Sequence, residues 1–143
     1  MADLESLRTF RFAFEEAPHL KDPTSAVGAW FTQPLGMVFQ LVRRARFTNE
    51  MARWVAGPAI ETFWELAPQQ TGVVLVLDVS LMDGRDSEVR SIIQAAAEKY
   101  HARIARSIVI PPRTANAAYM KALQVSVVLL RVFGVTVEIA TPL

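Results

Sequence analysis

At 143 residues the chain has the length of one domain, long enough to bury roughly 70% of the surface its unfolded form exposes. Lys and Arg nearly balance Asp and Glu, leaving a formal charge of +1, which excludes a strong global field toward nucleic acid or acidic lipid. The absence of cysteine excludes disulfides, thiolate catalysis and Cys-based zinc sites, and 52% of the residues are hydrophobic, an excess that an interface or a ligand cavity would absorb.

The N-terminal MADLESLRTF carries acidic residues where a secretory signal needs a basic segment followed by an apolar core, so no export signal and a cytoplasmic location are expected. Thr9 to Glu15 alternates, with Phe10, Phe12 and Phe14 on one side, the period of a half-buried strand. Pro18 and Pro23 close that segment. Ser25 to Phe31 reads as a second extended piece, leading through a turn at Gln33-Pro34-Leu35-Gly36 into the alternating stretch from Met37 to Val42, which together predict a hairpin.

Thr48 or Asn49 is suited to cap a helix of about five turns, with Met51, Trp54, Val55, Ala59, Phe63 and Leu66 along one face. Gly57-Pro58 lies in its interior, where a proline lacks a donor and crowds the preceding turn, so a kink or break is expected there. Pro68 ends it. The run Val73 to Val79 has the β-branched composition of a central strand buried on both faces. Val89, Ile92, Ile93, Ala96 and Tyr100 then recur at helical spacing, and Ile104 to Ile110 forms another strand that stops at Pro111-Pro112. Ala115 to Phe133 reads as a last helix, Gly134 as its C-cap and Val135 to Ala140 as a final strand. The longest apolar stretch, Val125 to Val137, contains Arg131 and Gly134 and is far short of the ~20 residues of a membrane span. Strands alternating with helices from Gly36 onward predict an α/β fold with parallel crossovers.

The stretch VVLVLDVSLMDGRDSEVRSII, residues 73 to 93, combines a buried strand ending in Leu77-Asp78 with an acidic loop and Asp86-Ser87 opening an amphipathic helix. It resembles the signature of the STAS (anti-sigma factor antagonist, SpoIIAA-like) domain, in which Leu-Asp at a strand end is followed after a fixed short interval by Asp-Ser at a helix start. The order of elements is also similar from Gly36 to Ala140, and FTNEMARWVAGPAIE and DSEVRSIIQAAAEKYHARI are similar to uncharacterised bacterial proteins of this type. The resemblance implies one domain over 1–143: a mixed sheet with helices mainly on one face, a core at about 36–140, and an N-terminal strand and loop ahead of it. It also implies a non-catalytic signalling module that binds a regulatory protein through Asp78, Asp83, Asp86, Ser87 and Glu88.

In phosphorylatable members the modified serine is the second of an Asp-Ser-Ser-Gly sequence. Here Glu88 stands at that position and Val89 replaces the glycine. A glutamate carries one negative charge where a phosphoserine carries nearly two, so it imitates the modified state only in part. Asp86 and Ser87 equally suit simple N-capping, because both offer acceptors to the orphan N–H groups of the helix start.

His19 and His101 are far apart in sequence, and neither has a second ligand-type residue at metal-site spacing, so no metal is expected; no phosphate-binding glycine loop appears either, and no cofactor is expected. Arg43, Arg44 and Arg46 form a basic cluster ahead of the first helix, insufficient by itself for nucleic-acid binding. On the last helix Lys121, Val125, Val128 and Val132 share one side while Leu123 and Leu130 lie on another, so its C-terminal half is apolar almost all round and needs cover on two sides, from its own domain alone or also from a second copy of the chain, a partner or a lipid-like ligand. A small-molecule or lipid-like carrier, with a cavity between sheet and helices, is the alternative function.

Overall fold

The structure is a computed structural model that describes residues 17–32, 36–132 and 134–140. The expected strand at Thr9–Glu15 and most of the turn at 33–36 lie outside the described residues. Within them, a six-stranded mixed sheet has the order β1-β2-β3-β5-β7-β8, formed by Leu20–Lys21, Val27–Thr32, Gly36–Leu41, Val73–Asp78, Ile104–Ile110 and Val137–Ile139. The first three strands pair antiparallel and the last four run parallel. A second, two-stranded parallel sheet joins β4 (Ala45–Phe47) to β6 (Met82–Arg85). The sequence places 82–85 in a loop and gives 45–47 no strand of its own, because each segment is too short for its alternation to register.

The β2–β3 hairpin is as expected, with Thr32 opposite Gly36. Gly36 has a φ of 138°, and a Cβ there would collide with the Val74 carbonyl of the neighbouring parallel strand, so only glycine opens β3 at this spacing. Between β1 and β2, Asp22 is buried and acts as a loop clamp. Its carboxylate accepts from the Thr24 hydroxyl at 2.6 Å and from the Ala26 and Val27 N–H groups at 2.8 Å each.

Helix α1 covers 49–66. It begins as an α-helix at Asn49–Trp54, widens to π-helix over Val55–Ala59 and returns to α-helix over Ile60–Leu66. Thr48 is its N-cap, accepting from the Met51 N–H at 3.2 Å. The helix does not break at Pro58: the wider turn takes up the missing donor and the ring, and the Pro58 carbonyl accepts from the Thr62 hydroxyl at 2.7 Å. Of the predicted inner face, Met51, Val55, Ala59 and Phe63 are buried, whereas Leu66 is 67% exposed. The π segment shifts the phase of the last turn and buries Ile60 and Trp64 instead. Beyond its C-terminus, Arg103 donates to the carbonyls of Ala67, Pro68 and Gln70 and stacks 3.8 Å from the Trp64 ring, a cation at the negative end of the helix.

Helix α2 spans Val89–Tyr100 and helix α3 Ala117–Val132, followed by Gly134 at φ 83°, which terminates the helix in the left-handed conformation. All three helices lie on one face of the sheet. Met37, Phe39, Leu41, Leu75 and Leu77 meet α1 and α2, and Val127 and Leu130 of α3 pack with Val109, Val137 and Ile139. Trp30, Val38, Val76 and Ile108 alternate onto the opposite face and form a separate cluster there, so β5 is buried on both sides as its composition requires. Among the described residues, no helix is long and apolar enough to cross a membrane.

Candidate functional site

The five loop residues singled out from the sequence do not form a free acidic surface. Asp78, at the end of β5, is buried and accepts from the Gln40 side-chain amide and from the Ser80 N–H, both at 2.9 Å, so it ties β3 to β5 and shapes the following turn. Asp83, Asp86 and Glu88 each face an arginine: Arg44 at 3.9 Å, Arg46 at 2.7 Å and Arg53 at 3.1 Å. The β4–β6 pairing brings these charges together, since it aligns Arg46 with Gly84 and Phe47 with Arg85. Arg44 and Arg46 of the basic cluster therefore form half of a salt-bridged seam, while Arg43 donates to the Thr24 carbonyl. Exposed pairs of this kind contribute about 0–1 kcal/mol each, and here they mainly cancel the local charge.

The capping expectation for Asp86 and Ser87 is corrected. The residue ahead of α2 is Glu88, which makes no side-chain capping bond. The Asp86 carboxylate instead accepts from the Asn49 N–H at 3.0 Å, in the first turn of α1, so it caps a neighbouring helix and not its own. Glu88 is held by the Asn49 side-chain amide at 3.2 Å as well as by Arg53. The hydrogen bond from Arg46 and that from Asn49 hold the Asp86 carboxyl below the usual aspartate range.

The histidines serve local structure. His19 accepts the Phe31 N–H at 3.0 Å and stacks on the Phe31 ring, and His101 Nδ1 lies 2.7 Å from the Glu98 carbonyl. On α3, Val125 and Val128 are 50% and 60% exposed and Lys121 points outward with them, while Ser126, Val127 and Leu130 are buried. The side chain of Val132 lies outside the described residues. One side of α3 meets the domain, and the other carries the exposed Val125 and Val128.

The carrier alternative expects a cavity between sheet and helices, without naming its lining residues. A cavity of about 160 Å³ lies between the sheet and the three helices. Its floor is Phe39, Leu75, Leu77, Ser107, Val109 and Val137, alternate residues of four strands. Val55, Ala56 and Ile60 of α1 close one side, and Ile93, Ala96 and Ala97 of α2 and Ala122, Leu123, Ser126, Val127 and Leu130 of α3 close the others. The π turn of α1 contributes Val55 and Ala56 to this wall. The polar exceptions are Ser107, Ser126 and a group of four: Arg85, Arg90, Gln94 and Tyr119. Ser126 donates its hydroxyl to the Ala122 carbonyl at 3.0 Å, one turn back in its own helix. The Arg85 guanidinium lies 5.4 Å from the centre of the Tyr119 ring. Burial pushes the Tyr119 hydroxyl above the usual phenol range, against the opposing pull of Arg85 and Arg90. In the sequence, the apolar excess and the sheet-and-helix order are the traces of this cavity, and neither names its lining.

No family model matches the chain, and no curated protein matches it significantly. Among solved structures it is similar to the crystal structure of an uncharacterized protein of the DUF3478 family, described as having a SpoIIAA-like fold, from Shewanella loihica PV-4. The superposition has a TM-score of 0.53 and covers 82% of this chain and 84% of that one. At 16% identity the likeness is one of fold, and the fold of this chain is SpoIIAA-like.

Proposed function

We propose that this protein is a non-catalytic binding module that holds a small, mainly apolar molecule between its sheet and its helices. The observation that carries this reading is the cavity of about 160 Å³ with its aliphatic walls. A cavity of about 150 Å³ in an apolar core stays dry and binds benzene, so this one has room for an aromatic ring or a short alkyl group. Among the described residues, the lining contains no histidine, carboxylate or lysine, and the Ser126 hydroxyl is turned onto a helix carbonyl with no base beside it. These features favour binding over general acid–base or nucleophilic chemistry.

Toluene titration followed by methyl chemical shifts tests the reading. Saturable shifts are expected at Val109, Leu123 and Val127 in the wild type and are lost in Ala97→Phe, which fills the cavity from α2. An absence of saturable shifts in the wild type overturns it.

A second reading is favoured by the exposed Val125 and Val128 on the outer side of α3. In it the module binds a regulatory protein or a second copy of itself through that helix and the neutralised 78–88 loop, in the manner the STAS resemblance implies. Glu88 would then act as a fixed, arginine-paired charge at the position that is phosphorylated elsewhere in that family.

A further inference from the structure

We propose that the ligand of this cavity is an anionic amphiphile, a molecule with one short apolar group and a single carboxylate or phosphate head held by Arg85 and Arg90. The inference rests on the binding-module reading above and adds the chemistry of the polar end.

Arg85 ends β6, and Arg90 lies in the first turn of α2, yet both line the same cavity. Tyr119, in the first turn of α3, lies beside both of them, under the Arg85 guanidinium and within the electrostatic reach of Arg90. Gln94 follows Arg90 by one helical turn and faces the same space. The polar groups therefore gather where β6 and the first turns of α2 and α3 approach one another, and the aliphatic walls extend away from them.

Among the described residues, the charge at this place is uncompensated. Arg44, Arg46, Arg53 and Arg106 all pair with carboxylates, whereas Arg85 and Arg90 have no carboxylate within ion-pair distance among the described residues. The nearest acidic groups in sequence, Asp86 and Glu88, are already committed to Arg46, Asn49 and Arg53. Two guanidinium groups left unpaired at the edge of an apolar cavity are matched by a planar or tetrahedral anion, which the arginine fork can hold through two parallel hydrogen bonds. The positive end of the α2 dipole, whose first residues line the cavity, acts in the same sense. The Tyr119 hydroxyl and the Gln94 amide supply neutral donors beside the head group.

Isothermal titration of the whole chain with hexanoate, hexyl phosphate and 1-hexanol, whose chains have the carbon count of benzene, tests this. One of the two anions is expected to bind about tenfold or more tightly than the alcohol, the equivalent of one hydrogen bond to a charged group. The tighter of the two identifies the head group. Arg85→Gln with Arg90→Gln is expected to bring the anions down to the alcohol and leave the alcohol unchanged, which also shows that the variant is folded. Equal affinities of all three for the wild type overturn the anionic head while leaving the cavity reading intact. Failure of all three to bind overturns both.

Discussion

Single residues carry two kinds of work in this domain, and Asp22 and Asp86 separate them. Asp22 is buried, and burial alone would raise its carboxyl pKa, but the hydrogen bonds from Thr24, Val27 and Ala26 outweigh that and hold it below the ordinary value. A carboxyl whose folded pKa lies below its unfolded one contributes stability above the unfolded value, and that contribution is lost as pH falls through the folded pKa. Asp22→Asn is therefore expected to cost about 1–3 kcal/mol at neutral pH, since it leaves buried N–H groups poorly satisfied, and the gap to the wild type is expected to narrow below about pH 4 in denaturant titrations. A gap that stays constant down to strongly acidic pH would contradict the clamp. Asp86 makes similar bonds at the surface, where water competes for the same groups. Its significance is topological, because it joins the start of α1 to the loop ahead of α2.

At the scale of elements, α3 is the most distinctive. Its inner side places Val127 and Leu130 against β7 and β8, and its outer side leaves Val125 and Val128 in water. Val128→Asp is expected to change monomer stability by no more than about 0.5 kcal/mol, whereas Val127→Asp, one residue away, is expected to cost several times that by burying an unpaired charge. Thermal unfolding of the two variants checks the contrast. If Val128 forms a contact with a second copy, its aspartate variant also loses self-association in sedimentation experiments while remaining folded. Helix α1 illustrates a different principle: Pro58 was expected to kink it, and the chain met the same steric demand by widening one turn.

On the scale of the whole molecule, the sheet is the rigid part and α3 the adaptable one. Phe39, Val73, Val76 and Ile108 are fully buried in the central strands β3, β5 and β7, while much of the inner side of α3 faces the cavity in place of protein atoms. A helix that forgoes those contacts is held less firmly, so amide hydrogens of α3 are expected to exchange well before those of β3, β5 and β7. Hydrogen exchange resolved by element checks this, with slowing of α3 on addition of a cavity ligand as the accompanying result. Exchange of α3 together with the central strands would mean that the helix is packed as tightly as the core.

Much of the architecture was legible because it rests on local periodicity. The unbroken apolar run at Val73–Val79, the 3.6-residue spacing from Val89 to Tyr100 and the glycine at 134 each encode an element through contacts that any chain of that pattern must make. The Leu77-Asp78 and Asp86-Ser87 interval was enough for the resemblance to the SpoIIAA-like fold. The candidate site was not legible in the same way. Which arginine pairs with which carboxylate depends on the register of the two short strands β4 and β6, and Arg46 meets Asp86 across a separation that no window of sequence spans. The cavity depends on three helices and four strands failing to fill one volume, a property of their mutual placement and of small residues such as Ala96, Ala97 and Ala122 facing one another. The sequence by itself determined the longer elements, their order and most of the apolar faces they present, since these follow from side-chain spacing along the chain; only the tertiary structure decided the short β4–β6 pairing, where charge is cancelled, where it is left over and where space remains, because these arise between segments distant in sequence.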